Sequence, residues 1–164
     1  MVIKISNMIY LASDHKGYEL KGKIKVWLRN WGYEFGDLGP SAYVADDDYP
    51  DYVSKVGEQI SAQSESLGIV LGFTGEGEAI VCNKYFHVRT AVYNGGTKDI
   101  IKLSREHNDA NVLSLGAGFV NEVEAKEALK LWLDTKFSGE ERHVRRLKKI
   151  EAIESANFKK LAGY

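Results

Sequence analysis

The stretch Leu67-Gly68-Ile69-Val70-Leu71-Gly72-Phe73-Thr74-Gly75-Glu76-Gly77-Glu78 decides the fold of this chain. It begins with an apolar run typical of a buried strand, continues through three closely spaced glycines and leads into residues 79–84, whose pattern is typical of a helix. Closely spaced glycines let the backbone turn sharply and direct successive N–H groups to one point, where an anion can bind. The stretch therefore predicts a strand, a tight turn with an anion site, and a helix.

The loop differs from nucleotide-binding loops of similar spacing. A P-loop continues with lysine and then serine or threonine, whereas this loop continues with Glu78 and Ala79. A carboxylate there repels a triphosphate, and Ile80 stands where a dinucleotide fingerprint has its third glycine. These residues argue against a nucleotide or flavin site. They favour a site for a developing negative charge beside a carboxylate base, and a plain turn remains the alternative.

Similar strand and helix patterns alternate along the rest of the chain. Strands are predicted at residues 8–13, 33–38, 67–71, 88–92 and 112–115. Helices are predicted at residues 17–31, 49–62, 77–84, 97–106, 121–136 and 142–157, with Asn121 as an N-cap. This alternation predicts an α/β fold: a three-layer α/β/α sandwich with a five-stranded parallel Rossmann-like sheet and a C-terminal helix.

Composition narrows the class of protein. The 164 residues suit one domain, residues 1–164, in which residues 1–7 are a possible extension. A net charge of −1 provides no general attraction to nucleic acid or to an anionic membrane. The single cysteine, Cys82, excludes an intrachain disulfide and is expected to be a buried packing residue. We find neither the apolar core of a signal peptide nor a membrane span, so a cytoplasmic protein is expected. One cysteine offers no thiolate cluster for zinc, and no metal or cofactor is predicted.

Ligands of parallel sheets bind at the carboxyl ends of the strands. Asp14 and His15 follow the first predicted strand and the glycine loop follows the third, so these two segments are expected to share a pocket. His107 and the basic segment that starts at Arg142 fall at the opposite edge. A five-residue strand is about 17 Å long at ~3.3 Å per residue. These residues can join the site only from a second subunit, which predicts a homodimer with shared sites, or a tetramer of such dimers.

Six short motifs occur in a fixed order along residues 8–157. They are Asp14-His15-Lys16-Gly17-Tyr18, Tyr49-Pro50, Thr74-Gly75-Glu76-Gly77, Asn83-Lys84, Ser104-Arg105-Glu106-His107-Asn108 and Arg142-His143. This succession resembles the ribose-5-phosphate isomerase B family, which includes the galactose-6-phosphate isomerase subunits. The resemblance implies a metal-free aldose–ketose isomerase of sugar phosphates in the pentose phosphate pathway.

Two positions depart from the pattern of many family members. Gly72 stands where many members have a cysteine base, and Glu78 matches a branch of the family in which a glutamate after the loop is the base. Gly118 stands where several members have an arginine that contacts phosphate. The loss of that arginine raises the question of phosphate affinity and of room for a longer substrate.

The resemblance, together with the chemistry of isomerisation, implies a role for each site residue. Glu78 is the base, Thr74 moves protons between the sugar oxygens, and His107 with Asp14 opens the sugar ring. The remaining residues bind the substrate: the backbone N–H groups of Gly75, Glu76 and Gly77, the pocket residue Tyr49, the hydroxyl-binding Asn108, and the phosphate-binding His15, Arg142, His143 and Arg146.

Ribose 5-phosphate is the expected substrate. One alternative is a six-carbon sugar phosphate, allose or galactose 6-phosphate, because Gly118 removes a bulky side chain. Another is a catalytically silent sugar-phosphate binding protein, which the missing cysteine favours and Glu78 opposes.

Overall fold

The computed structural model describes residues 8–161, and in residues 160 and 161 only the backbone. The predicted extension at residues 1–7 lies outside this part of the chain. The described residues form five strands, β1 (Ile9–Ser13), β2 (Phe35–Asp37), β3 (Leu67–Gly72), β4 (Thr90–Tyr93) and β5 (Val112–Gly116). They also form six helices, α1 (Tyr18–Asn30), α2 (Pro50–Ala62), α3 (Glu76–Cys82), α4 (Asp99–Glu106), α5 (Glu122–Asp134) and α6 (Glu141–Leu161).

The five strands form one parallel sheet with the order β2-β1-β3-β5-β4. The predicted fold class is therefore confirmed. Strands β1 and β3 are neighbours, and Ser13 at the end of β1 pairs with Leu71 near the end of β3. Because the chain leaves β1 toward one side of the sheet and later fills the other side, the crevice between β1 and β3 is the switch point at which α/β proteins bind ligands.

Apolar layers cover both faces of the sheet. The larger one joins α1, α4 and α5 to the sheet and contains the fully buried Trp132, Leu28 and Leu113. The smaller one joins α2 and α3 to the other face and contains Val56 and Cys82. The free thiol of Cys82 is buried, as predicted, and burial raises its pKa to about 12. Burial on both faces explains why the central strands read as continuous apolar runs.

The element boundaries differ modestly from the predicted ones. Strand β2 covers three of the six predicted residues, since this edge strand pairs with β1 at three positions. Helix α4 starts at Asp99 because the hydroxyl of Thr97 accepts a hydrogen bond from the Asp99 N–H and ends the preceding turn. The predicted N-cap of α5 is confirmed, since Asn121 accepts a hydrogen bond from the Glu124 N–H at 2.9 Å.

Helix α6 contacts the domain but leaves much of its apolar surface exposed. Ile150 is 47% exposed and Ile153 is 64% exposed. Where the helix approaches the domain, Glu154 accepts a hydrogen bond from the His87 N–H at 3.0 Å and the Phe158 ring packs on Phe86. No helix among residues 8–161 is both long enough and apolar enough to cross a membrane.

Candidate active site

The glycine loop connects β3 to α3 at the switch point. Gly75 is the N-cap of α3 and adopts φ 82°, a left-handed conformation that glycine accepts without strain. The fully buried Ser114 of β5 donates a hydrogen bond from Oγ to the Gly75 carbonyl at 2.6 Å. The loop is therefore held from below by the neighbouring strand, which fixes the direction of its peptide groups.

Glu78 lies in the first turn of α3 and is only 3% exposed. Its carboxylate fills the space directly above Gly72: a Cβ at position 72 would lie 2.7 Å from Glu78 Oε2 and closer still to Oε1. The glycine at position 72 is therefore required for this placement. Burial raises the pKa of Glu78, and the charge of nearby Asp14 raises it further, while its own backbone N–H opposes the shift.

Two further predicted residues lie close by, Asp14 near the Glu78 carboxylate and Tyr49 against the glycine loop. Asp14, 7% exposed, follows β1, and its Oδ1 accepts hydrogen bonds from the N–H groups of Lys16 and Gly17 ahead of α1. The ring of Tyr49 lies against Gly77, where a Cβ would meet the hydroxyl oxygen at 2.8 Å. The two segments predicted to share a pocket do lie together at the carboxyl edge of the sheet.

The loop N–H groups differ in their availability. The Glu76 N–H donates to Thr74 Oγ1 at 3.2 Å and so already has an acceptor. Within the described residues, the N–H groups of Gly75 and Gly77 have none. Asn94, after β4, donates to the Thr74 carbonyl at 3.3 Å and also supports the loop. Sequence reasoning missed Asn94 and Ser114, because neither belongs to a motif near the loop in sequence.

His107 and His143 form a pair at the opposite edge of the sheet. His107 caps the C-terminus of α4, and its ring centroid lies 4.2 Å from that of His143, near the start of α6. His143 is 1% exposed, and its Nδ1 lies 2.7 Å from Ser138 Oγ. Burial lowers the pKa of His143, and the adjacent His107 lowers it further. His143 therefore lies beneath His107 and not on the exposed surface with the arginines.

The remaining predicted residues at this edge are exposed. Asn108 follows His107, and Arg142 and Arg146 extend from the first turns of α6. The Arg142 Nε donates to Glu140 Oε2 at 2.8 Å, in an ion pair exposed to solvent. The predicted site residues in the described part of the chain thus lie in two separate groups: the Glu78 group at the carboxyl edge and the His107 group at the amino edge.

Gly118 does not leave an open space. The ring of Phe73 lies over it, and a Cβ at position 118 would meet Phe73 Cζ at 2.9 Å, with other ring atoms nearer. Phe119 packs on Phe73 with ring centroids 5.3 Å apart. The space that a side chain at position 118 would enter is therefore occupied by an aromatic ring. Among residues 8–161, no three His, Cys, Asp or Glu side chains are grouped as metal ligands would be.

Comparison with known proteins identifies the family of this chain. The family model for ribose/galactose isomerases matches residues 9–150. Ribose-5-phosphate isomerase B of Mycobacterium tuberculosis is 38% identical over 139 residues, which cover 85% of each chain. The probable ribose-5-phosphate isomerase B of Mycoplasma pneumoniae is 37% identical over 153 residues, which cover 93% of this chain and 98% of the relative.

Solved structures show the same likeness in three dimensions. Ribose-5-phosphate isomerase B of Mycoplasma genitalium, solved with bound ribulose-5-phosphate, matches with a TM-score of 0.87 and 36% identity over 92% of this chain and 97% of that one. The Clostridium thermocellum enzyme matches with a TM-score of 0.85 and 39% identity over 92% and 99% of the two chains. Matches of this extent and identity show that the chain belongs to the ribose/galactose isomerase family.

Proposed function

We propose that this chain interconverts ribose 5-phosphate and ribulose 5-phosphate, with Glu78 as the base. The observation that carries the proposal is the buried Glu78 carboxylate, seated on Gly72 and beside Asp14 at the switch point of the sheet. The relative from Mycoplasma genitalium binds the ketose of this pair, which supports a five-carbon substrate.

Isomerisation moves one proton between C1 and C2 and another between their oxygens. Glu78 takes the carbon proton, and its raised pKa makes its carboxylate a stronger base than an exposed glutamate. The enediolate then carries negative charge on oxygen. The unpaired N–H groups of Gly75 and Gly77 are donors for this charge, and the Thr74 hydroxyl transfers the proton between the sugar oxygens.

Sugar phosphates are mostly cyclic, so the ring must open first. We assign this step to His107 and Asp14, because an imidazole can both donate and accept a proton near neutral pH. Asn108, next to His107, binds the sugar hydroxyls. His143, stacked beneath His107 at 4.2 Å, holds the imidazole of His107 in place.

Because the His107 group lies at the opposite edge of the sheet, we infer that it joins the Glu78 group of another copy of the chain. We therefore propose a homodimer in which each site combines the Glu78 group of one subunit with the His107 group of its partner. The exposed Ile150 and Ile153 on α6 support this assembly, because an unpartnered apolar helix face is costly in water. Arg142 and Arg146, one turn apart on α6, then bind the substrate phosphate together with His15.

Subunit mixing tests the shared site. Glu78→Gln and His107→Asn homodimers are each expected to be inactive, whereas mixed dimers contain one site with neither substitution. Mixing, denaturing and refolding the two variants should therefore restore up to about one quarter of wild-type activity, since half of the dimers are mixed and each has one intact site of two. Absence of recovery, with mixed dimers shown by mass spectrometry, would contradict the shared site.

The phosphate assignment has a matched control within α6. Replacing Arg142 by alanine should raise the KM for ribose 5-phosphate far more than replacing Arg145, a similarly exposed arginine on another side of the helix. Equal effects on KM would contradict the assignment of Arg142 to the phosphate site.

Comparing turnover of ribose 5-phosphate with turnover of allose and galactose 6-phosphates tests the six-carbon alternative. The ring of Phe73 over Gly118 argues against that alternative.

A further inference from the structure

Asp47 lies in the segment between β2 and α2 and contacts the segment that follows β1. Its Oδ1 accepts two hydrogen bonds from one residue, His15: the backbone N–H at 2.9 Å and the ring Nδ1 at 2.8 Å. The Asp47 side chain is 3% exposed, and its second oxygen, Oδ2, has no hydrogen-bond partner among the described residues. A buried carboxylate with one unpaired oxygen is not an arrangement that stability alone favours.

The hydrogen bond determines which nitrogen of His15 carries a proton. An ionised carboxylate only accepts hydrogen bonds, so the Nδ1 that faces Asp47 must carry hydrogen. The other nitrogen, Nε2, bonds to no described residue, and the His15 side chain is 20% exposed. When the ring takes up a second proton, Nε2–H becomes a donor that points away from Asp47.

The same segment contacts the ring a second time. Tyr43 and His15 lie in a T-shaped arrangement with ring centroids 6.4 Å apart, and the same Tyr43 packs against Tyr18 of α1. The Tyr18 hydroxyl donates to the Ser41 carbonyl at 3.3 Å. Residues 41–47 thus form a strap across the β1–α1 turn, and within it Asp47 makes the direct contact with the His15 imidazole.

We propose that Asp47 is a positioning residue that holds the His15 ring through its Nδ1–H, so that Nε2 faces the phosphate of the substrate and, in the imidazolium form, donates its N–H to that phosphate. This inference rests on the proposed function, since it assigns His15 to phosphate. Asp47 itself does not touch the substrate. Its effect is therefore expected on substrate affinity and not on the proton transfer carried out by Glu78.

The first test reads the imidazole directly and does not depend on catalysis. Side-chain ¹⁵N shifts of the four histidines, with His15 assigned by its loss in His15→Asn, report which nitrogen is protonated. Wild type should show Nδ1–H for neutral His15. Asp47→Asn keeps the shape but can also donate a hydrogen bond, so it should shift His15 toward Nε2–H. Unchanged His15 shifts in Asp47→Asn would overturn the proposal, whether or not the protein proves to be an isomerase.

The second test measures coupling between the two residues. Asp47→Asn should raise the KM for ribose 5-phosphate, and the Kd for inorganic phosphate, about tenfold through loss of a charge-assisted hydrogen bond, with kcat little changed. In a His15→Asn background the same substitution should have no further effect. Asp46→Asn, the same charge change on an exposed neighbour, is the control. Equal effects of Asp47→Asn in both backgrounds, or a fall in kcat alone, would overturn the positioning role.

Discussion

The Glu78 carboxylate occupies the space in which a side chain on Gly72 would begin. The two residues lie at opposite ends of the same loop, yet they define one position above the end of β3. A glycine at position 72 and a carboxylate at position 78 are therefore one structural unit. Rate and stability measurements test whether Glu78 acts from this position as the catalytic base.

Gly72→Ala should displace the base without removing it. The added methyl would overlap the Glu78 carboxylate, so that side chain must rotate away. Because a misplacement of about 1 Å can cost roughly 100-fold in rate, we expect kcat to fall by about that factor with a smaller change in KM. Gly22→Ala is the matched control, since nothing lies within 4 Å of a Cβ at that helical position. Full activity of Gly72→Ala would contradict the claim that activity requires the Glu78 carboxylate in this position.

Glu78→Gln should stabilise the fold at neutral pH. Burial raises the pKa of Glu78, so the folded chain holds this proton at a higher pH than the unfolded chain does. The carboxylate therefore destabilises the folded state increasingly as pH rises from the usual glutamate pKa through the raised value. Urea unfolding should show the variant more stable than wild type at pH 7, with the difference vanishing below about pH 4.

Glu58, an exposed glutamate of α2, supplies the control for this titration. Glu58→Gln should leave the pH dependence of unfolding unchanged. A Glu78→Gln protein that is less stable than wild type at pH 7 would contradict the burial argument.

Ser114→Ala should disturb the glycine loop from below. Removing the Oγ–H donor leaves the Gly75 carbonyl with the Ala79 N–H as its remaining partner, at a cost of about 0.5–1.5 kcal/mol in the free energy of unfolding. We also expect kcat to fall, since the neighbouring loop N–H groups lose their fixed direction. Ser104→Ala removes a similar buried hydrogen bond, to the Ile101 carbonyl at 2.7 Å, and should reduce stability alone. If kcat falls equally in both variants, Ser114 has no specific role in orienting the loop N–H groups.

Lys21 provides a test away from the chemistry. It is 1% exposed, and its ammonium donates to Asp37 at 2.7 Å and to the Pro40 carbonyl at 2.8 Å. Burial lowers the pKa of Lys21, although Asp37 opposes the shift. Asp37→Asn leaves a buried ammonium without its anion, so it should cost up to about 3–5 kcal/mol, whereas Lys21→Met removes the charge and should cost less. Urea unfolding that ranks the two variants in the reverse order would contradict this.

Local sequence patterns predicted the elements whose structure depends on residues close together in the chain. The apolar run of β3, the glycines that follow it and the N-cap Asn121 each carry their signal within a few residues. The position of Glu78 was predictable for the same reason, because Glu78 directly follows the glycine loop in sequence. The position of His107 at the far edge followed from the order of elements alone.

Contacts between distant segments were not visible in the sequence. The strand order joins segments that are not consecutive in the chain, and the Asp47–His15 hydrogen bonds and the ring of Phe73 over Gly118 join residues more than 30 positions apart. Gly118 suggested an open space because a missing side chain is visible in a sequence, whereas the side chain that fills its place is not. The burial of His143 was not predicted either, because His143 belongs to a basic run and such runs are usually solvent-exposed.

The most direct test follows ribose 5-phosphate in D₂O with wild type and Glu78→Gln, by formation of the ketose and incorporation of deuterium from solvent. We predict ketose formation with deuterium incorporation for wild type. For the variant we predict turnover about 100- to 10,000-fold lower, the usual contribution of a positioned base, with substrate binding retained. Near-normal turnover by Glu78→Gln would contradict its role as the base, and absence of turnover by wild type would contradict the assignment of ribose 5-phosphate as the substrate.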